Sequence, residues 1–178
     1  MKDTIKREVK EWIKALGIGF ILFILIRLFL FDNYSVIGQS MVPTIRDGNK
    51  LIVNKIGYFI GDIDRFDIVV FHANGEEDYV KRVIGVPGDT IQYQNDVLYV
   101  NGEPQDEPYL DQSKKQLLFD RLTGDLTVEV PEGKLFVLGD NRRGSTDSRH
   151  FGFVDIDDVV GEVGLRYWPI DDWEFSIK

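Results

Sequence analysis

The chain has 178 residues, of which 43% are hydrophobic, and it contains no cysteine. This length suffices for one compact domain with its own core, and a disulfide framework is excluded. The formal net charge is −9, and residues 1–31 hold six Lys/Arg against three Asp/Glu, whereas residues 32–178 hold fifteen against twenty-seven. An acidic body argues against binding of a phosphate backbone, so we expect no nucleic-acid partner.

The amino-terminal segment has the pattern of a membrane anchor. Residues 15–31 are apolar except for Arg27, which makes a run slightly shorter than the roughly 20 residues that span a bilayer. Because basic residues precede this run, residues 1–14 should stay in the cytoplasm and residues 32–178 should be exported. A cleavable secretory signal is the alternative, but no small-x-small site follows the run. We therefore predict a retained transmembrane helix.

A serine follows the anchor closely, in the motif 38–44, Gly-Gln-Ser-Met-Val-Pro-Thr. Ser40 comes after two apolar residues and before a Pro-Thr turn, so it should be exposed where a strand ends. Such a serine, taken alone, is more often a turn residue than a nucleophile. A hydroxyl becomes a good nucleophile at neutral pH only beside a group that accepts its proton.

Beyond this motif the sequence predicts a mainly β, barrel-like domain, with short apolar runs separated by turn signals. The predicted strands are Leu51–Val53, Asp67–Phe71, Val80–Val86, Thr90–Tyr93, Val97–Val100, Leu126–Val130, Lys134–Leu138 and Val159–Tyr167. Asn95-Asp96 and Asn101-Gly102 are hairpin signals. Residues 104–131 are predicted to be an excursion from the core sheet, and no helical periodicity is visible beyond the anchor.

Lys81 lies in one of these strands, in the motif 79–89, Tyr-Val-Lys-Arg-Val-Ile-Gly-Val-Pro-Gly-Asp. Strand alternation places Tyr79, Lys81 and Val83 on one face. Burial among apolar groups, away from carboxylates, would lower the lysine pKa from about 10.4 and allow the amine to accept a proton. The alternative for Lys81 alone is an edge-strand or snorkelling lysine. Together, Lys81 and Ser40 can form a pair in which the serine is activated as a nucleophile without a histidine.

A polar loop forms the third motif, residues 139–149, Gly-Asp-Asn-Arg-Arg-Gly-Ser-Thr-Asp-Ser-Arg. Its composition predicts an ordered loop with internal ion pairs, and a plain surface loop is the simpler alternative. The chain has only His72 and His150, without metal-ligand spacing, so we expect neither a metal nor a cofactor. A Ser-His-Asp triad through His150 stays open, but it would leave Lys81 unexplained.

With these motifs in this order, the chain resembles the bacterial type I signal peptidases, in the single-anchor form of Gram-positive bacteria. The resemblance implies an extracytoplasmic catalytic domain, with Ser40 as the nucleophile and Lys81 as the general base. It implies that Ser145 orients the lysine, and that ion pairs hold the loop through Asp140, Arg82, Asp147 and Arg149. The implied substrates are exported preproteins, cut after small residues at the −3 and −1 positions.

This chain departs from some members of that family at Gly38, where they carry a serine that helps to form the oxyanion hole. We expect the hole to depend on backbone N–H groups near Gly38 and Ser40. The substrate should bind as an added β-strand between the two motifs. The residues predicted to contact it are Ser35, Val36, Ile37, Gln39, Met41, Asp78, Tyr79 and Val80.

Two other classes of function stay open from the sequence. One is a membrane-tethered β-domain that binds exported proteins without cutting them, although both members of the dyad are present. The other is an autoproteolytic regulator, which would normally need a DNA-binding segment in place of the anchor. The aromatic tail, with Trp168 and Trp173, is consistent either with contacts to lipid headgroups or with an ordinary core.

Overall fold

A computed structural model describes residues 2–55, 63–73, 77–117 and 120–175. Helix α1 spans Lys2–Leu30 and leads directly into strand β1, Phe31–Ser35. The side chains of 25–29 lie outside the described part, and within that part no helix is long and apolar enough to cross a membrane. The anchor predicted at 15–31 therefore stays a prediction.

The rest of the chain is mainly β, as the sequence predicts. The remaining strands are β2 Lys50–Asn54, β3 Ile68–His72, β4 Asp78–Gly85, β5 Thr90–Gln94, β6 Val97–Val100, β7 Glu103–Gln105, β8 Leu126–Glu129, β9 Lys134–Leu138, β10 Val154–Asp155, β11 Val159–Trp168 and β12 Glu174–Phe175. Eight form a large sheet in the order β1-β2-β11-β3-β4-β9-β10, with β12 on β11, and four form a smaller sheet in the order β7-β6-β5-β8.

Both predicted hairpin turns are confirmed. Asn95 and Asp96 have φ values of 52° and 63° between β5 and β6, and Asn101 and Gly102 have 54° and 84° between β6 and β7. These left-handed conformations match the twist of a two-residue hairpin. The smaller sheet is therefore built from local pairings, and β8 joins it by pairing with β5.

The sequence failed to predict two short helices, α2 at Asp111–Gln116 and α3 at Ser148–Phe151. Helices of one turn are too short to show a 3.6-residue hydrophobic period. The Asp147 side chain caps α3 by accepting a hydrogen bond from Arg149 N–H. The excursion predicted at 104–131 contains β7, α2 and β8, and residues 118–119 of its apolar cluster lie outside the described residues.

The core covers both faces of the large sheet around β3 and β4. In β3, Ile68 and Val70 pack into one apolar cluster, whereas Val69 and Phe71 pack into another on the opposite face. β3 is therefore buried on both faces. Lys81 in β4 is directly opposite Val69, so its stem lies on the second of these faces.

Candidate active site

Ser40 and Lys81 are 41 positions apart in the chain and meet in the structure. Lys81 Nζ donates a hydrogen bond to Ser40 Oγ over 2.9 Å. Lys81 belongs to β4, whereas Ser40 follows β1 in a turn and is partly buried. Backbone bonds from Val36 N–H to Asn49 and from Gly48 N–H to Val36 hold the segment that precedes this turn.

Lys81 is buried, with 3% of its surface exposed. Its ammonium also donates to the Val80 carbonyl over 3.0 Å and lies 5.1 Å from the centre of the Tyr79 ring. Burial lowers the pKa of Lys81 to about 8, although the negative charges of Asp147 and Asp140 act in the opposite direction. The expectation that no carboxylate acts on this lysine was therefore wrong, but desolvation is the larger effect.

One buried ion pair fixes the start of the polar loop. Arg82 donates to both carboxylate oxygens of Asp140, over 2.9 Å and 2.7 Å, and both side chains are fully buried. Thr44 Oγ1 donates to the same carboxylate over 2.5 Å. The next residue, Asn141, donates its backbone N–H to the Ser40 carbonyl over 3.0 Å. The loop is thereby bonded both to β4 and to the turn that carries the serine.

A second ion pair fixes the end of the loop. Arg149 donates to both oxygens of Asp147, over 2.8 Å and 2.7 Å, and Gly139 N–H donates to the same carboxylate over 3.0 Å. Burial alone would raise the pKa of Asp147, but these hydrogen bonds outweigh it and keep the pKa below its usual range. Asp147 therefore stays ionised and connects the two ends of the loop.

Ser145 belongs to this loop, but its expected hydrogen bond to Lys81 is not present among the described residues. Its Oγ is buried without a hydrogen-bond partner in the part of the chain that the structure describes. It is near enough to Asp147 to lower the pKa of that carboxyl, but without the geometry of a hydrogen bond. A side chain at Gly139 would overlap Ser145 Oγ and the Ser40 carbonyl oxygen.

Of the two backbone N–H groups expected to form the oxyanion hole, those of Gly38 and Ser40, one is already hydrogen-bonded within the protein. Gly38 has a φ of 99°, and its N–H donates to Asp47 Oδ1 over 2.8 Å. This group is therefore occupied, which corrects the expectation for Gly38. Within the described ranges the Ser40 N–H has no partner, so it is free to bind an oxygen atom.

A groove of about 490 Å³ ends at the dyad. All the residues predicted to contact substrate line it, namely Ser35, Val36, Ile37, Gln39, Met41, Asp78, Tyr79 and Val80. One wall follows β1, and the other is the start of β4. β4 pairs with β3 along one edge and with β9 along the other, but the pairing with β9 begins only at Arg82. The part of β4 that precedes Arg82 therefore has an open edge, and this edge forms the second wall of the groove.

His150 is not placed to serve as a base for Ser40. It lies on α3 with its side chain 59% exposed, and its Nδ1 is 3.9 Å from Asp147 Oδ1. The hydrogen bond that the structure gives to Ser40 Oγ comes from Lys81. The site geometry therefore does not support the alternative of a triad through His150.

A buried network behind the loop was not predicted from the sequence. Arg142 donates to Gly139 O over 3.1 Å and, with its guanidinium ends, to Glu107 over 2.6 Å and Tyr93 over 2.8 Å. Glu107 precedes α2, and Tyr93 belongs to the smaller sheet. The loop is therefore connected to that sheet through Arg142 and Tyr93, which are 49 residues apart, so no local pattern indicates the contact.

A serine hydroxyl bonded to a buried lysine, in a groove with an open strand edge, is an arrangement suited to peptide-bond hydrolysis by a serine peptidase. The chain belongs to the signal peptidase family, peptidase S26, whose sequence profile matches residues 9–168. It is a serine peptidase of that family, whose members are membrane-associated and remove signal peptides from preproteins.

Three relatives illustrate this similarity. Signal peptidase I of Bacillus caldolyticus is 61% identical over 85% of this chain and 87% of its own length. Signal peptidase IB of Staphylococcus aureus strain MRSA252 is 44% identical over 97% of this chain and 96% of its own. The crystal structure of a signal peptidase I from Enterococcus faecalis V583 has a TM-score of 0.56 at 41% identity and covers 58% of this chain and 98% of that chain.

Proposed function

We propose that this enzyme cleaves signal peptides by a Ser/Lys dyad, with Ser40 as the nucleophile and Lys81 as the general base. The hydrogen bond of 2.9 Å between Lys81 Nζ and Ser40 Oγ is the observation that carries the proposal. Burial of the lysine supports it, since a pKa of about 8 gives an appreciable neutral fraction near neutral pH. Neither a metal nor a nucleotide enters the proposed reaction.

The proposed reaction has two halves. Neutral Lys81 takes the hydroxyl proton of Ser40 while Ser40 Oγ attacks the carbonyl carbon of the residue at the −1 position. Protonated Lys81 then gives its proton to the leaving amine, and the peptide bond breaks to leave an acyl ester on Ser40. In the second half, Lys81 takes a proton from water, which attacks the ester. Lys81 then gives this proton to Ser40 Oγ as the ester C–O bond breaks, and the signal peptide leaves with its new carboxyl end.

The oxyanion of each tetrahedral intermediate should bind to the Ser40 N–H. This group is free among the described residues, whereas the Gly38 N–H is occupied by Asp47. Gly38 also lacks the hydroxyl that some relatives have at this place. Backbone donation by Ser40 is therefore the main source of oxyanion stabilisation in the proposed mechanism.

The backbone around the groove supports binding of the substrate as an extended strand. Val83 exchanges backbone hydrogen bonds with residues 66–67 on the β3 side. Successive residues of a strand direct their backbone N–H and C=O groups to opposite edges. Since Val83 bonds toward β3, the backbone groups of Asp78 and Val80 point to the other edge, into the groove. Across the groove, Ile37 has no backbone partner within the described ranges, since its neighbours bond outward. An added strand can bond to both walls.

The same groove suggests why small residues are expected at −1 and −3. On its inner side the walls carry the side chains of Val36, Met41 and Val80, which belong to one apolar cluster of the core. Alternate side chains of an added strand would point into this packed surface, where little space is available. We infer that the sites for these two positions admit only side chains about the size of alanine.

The membrane topology is also part of the proposal. Helix α1 contains residues 15–30 of the predicted anchor, and Ser40 lies only nine positions after Phe31. At about 3.3 Å per residue this keeps the serine within roughly 30 Å of the helix end. The enzyme would then be a single-pass protein of the cell membrane, with a cytoplasmic amino terminus and its dyad on the outer face, where exported preproteins emerge from the lipid bilayer.

The proposal is tested by cleavage of a preprotein with an Ala-Gly-Ala site in lipid vesicles. The variants are Ser40→Ala, Lys81→Met and, as a matched control, Lys115→Met at an exposed position of α2. We expect the wild type and Lys115→Met to cut after the second alanine, and the two dyad variants to fall to background. Thermal unfolding of each variant shows whether it is folded.

Two outcomes would contradict the proposal. If folded Lys81→Met retains substantial activity, the base is another group. If the wild type binds the preprotein but does not cut it, the binding-domain alternative gains. Protease accessibility of an epitope at each terminus of the vesicle-inserted enzyme tests the topology separately, because an externally accessible amino terminus would contradict the proposed orientation.

A further inference from the structure

A second cavity adjoins the catalytic groove. Its volume is about 300 Å³, at the lower end of the range for small-molecule sites. Tyr79 and Thr146 line both cavities, so the two spaces meet beside the dyad. Tyr79 lies on the same face of β4 as Lys81, which places the second cavity on the face opposite the cluster that contains Val36 and Met41.

Three aromatic side chains form the wall of this cavity. The ring of Phe71 is 6.2 Å from those of both Tyr79 and Phe151, and the Tyr79 and Phe151 rings are 6.4 Å apart. Phe71 is buried and forms the floor, whereas Phe151 is 41% exposed. An exposed aromatic ring beside a buried one leaves apolar surface available to a ligand.

The mouth of the cavity carries one carboxylate without a partner. Asp155 pairs with Lys134 over 2.5 Å, and His72 is bonded to Asp78 over 2.6 Å. Asp158 also lines the cavity, and no residue that the structure describes neutralises it. The cavity therefore combines an apolar interior with one exposed negative charge at its opening.

We propose that this cavity is the binding site for the substrate side chain at the −2 position, and that it favours a long side chain with an apolar stem and a cationic end, such as lysine. The inference rests on the proposed function, because it requires a substrate strand along the open edge of β4. In such a strand the −1 and −3 side chains face the cluster of Val36 and Met41. The −2 side chain then points to the opposite face, where the second cavity opens.

The chemistry of the walls decides which side chain fits. Methylene groups pack against Phe71 and Phe151, and an ammonium group near the aromatic faces gains a cation–π interaction. The Asp158 carboxylate attracts the same ammonium and repels an acidic side chain. Glycine at −2 leaves the cavity to water, and glutamate places a like charge near Asp158.

The test compares kcat/KM for three preproteins that differ only at −2, with Ala-Lys-Ala, Ala-Gly-Ala and Ala-Glu-Ala sites. The wild type should prefer lysine over glycine and glycine over glutamate. Asp158→Asn should reduce the lysine-to-glutamate ratio at least about threefold, the size expected for an exposed charge pair. Asp157→Asn is the matched control, because this exposed neighbour does not line the cavity and should leave the ratio unchanged.

A second variant tests the aromatic wall. Phe151→Ala should lower the lysine-to-glycine ratio of kcat/KM, because glycine at −2 has no side chain that packs against this ring. Equal rates for all three substrates in the wild type, or an unchanged ratio in folded Asp158→Asn, would overturn the inference. Cleavage of the Ala-Gly-Ala substrate by the wild type but not by Ser40→Ala tests the proposed dyad separately. That result would support the dyad even if no preference at −2 were found.

Discussion

Raising the pH from 7 to 9 should accelerate cleavage about tenfold, because the proposed base is a lysine that must lose its proton first. Burial lowers the pKa of Lys81 to about 8, and the charges of Asp147 and Asp140 only partly oppose this effect. With that pKa, about one molecule in eleven carries a neutral Lys81 at pH 7, and about ten in eleven carry it at pH 9. The rate should therefore rise and then level off.

An unburied lysine predicts a different profile. With a pKa of about 10.4, the neutral fraction would rise nearly a hundredfold between pH 7 and pH 9 and would show no plateau there. The levelling of the rate, more than the rise itself, therefore distinguishes the buried base.

The assay is kcat/KM for a preprotein in vesicles between pH 6 and pH 10, because this ratio reports the titration of the free enzyme. Thermal unfolding at each pH shows the range in which the enzyme stays folded. An independent readout is the NMR titration of ¹³C-labelled lysine side chains, in which the Lys81 signal is assigned by its loss in Lys81→Met. A pH-independent rate, or a rate that rises nearly a hundredfold between pH 7 and pH 9, would refute the reasoning.

Further predictions concern the loop that supports the dyad. Gly139→Ala should lower kcat at least about a hundredfold, because its new methyl group overlaps Ser145 Oγ and displaces the serine turn. Gly124→Ala is the control and should stay active, because no atom of the described residues lies within 4 Å of the new methyl group. Arg142→Met should lower the free energy of unfolding by about 3–5 kcal/mol, since it leaves buried Glu107 without its 2.6 Å partner. Urea unfolding measures this loss, and adding Glu107→Gln should recover part of it; no recovery would contradict the assignment of the loss to an uncompensated charge.

Local patterns were enough to predict eight of the twelve strands that the structure describes and the two asparagine turns, whereas β1, β7, β10 and β12 were missed. Val97–Val100 and Lys134–Leu138 have the predicted bounds, and the asparagine turns between β5, β6 and β7 form as expected. Each of these features depends on residues that are neighbours in the chain, so that alternation and turn chemistry determine them. The short helix α3 was missed because its four residues are too few to show a helical hydrophobic period, although Asp147 caps it.

The parts of the site that the sequence did not reveal depend on distant pairings. The bond between Asp47 and Gly38 requires a turn to fold back on the segment that follows β1. The pair of Arg142 and Glu107 joins the polar loop after β9 to the segment that follows β7. Such contacts form only after the chain is packed, and the residue types alone do not indicate which charged group meets which.

The open edge of the groove has a consequence for inhibitor design. Its bonding groups near the dyad belong to the main chain of Ile37, Asp78 and Val80, and every amino acid except proline supplies the same N–H and C=O atoms. An inhibitor that occupied this edge as a strand would depend on atoms that ordinary point mutations cannot remove. Resistance would then have to arise from changes in the side-chain pockets or in the amount of enzyme.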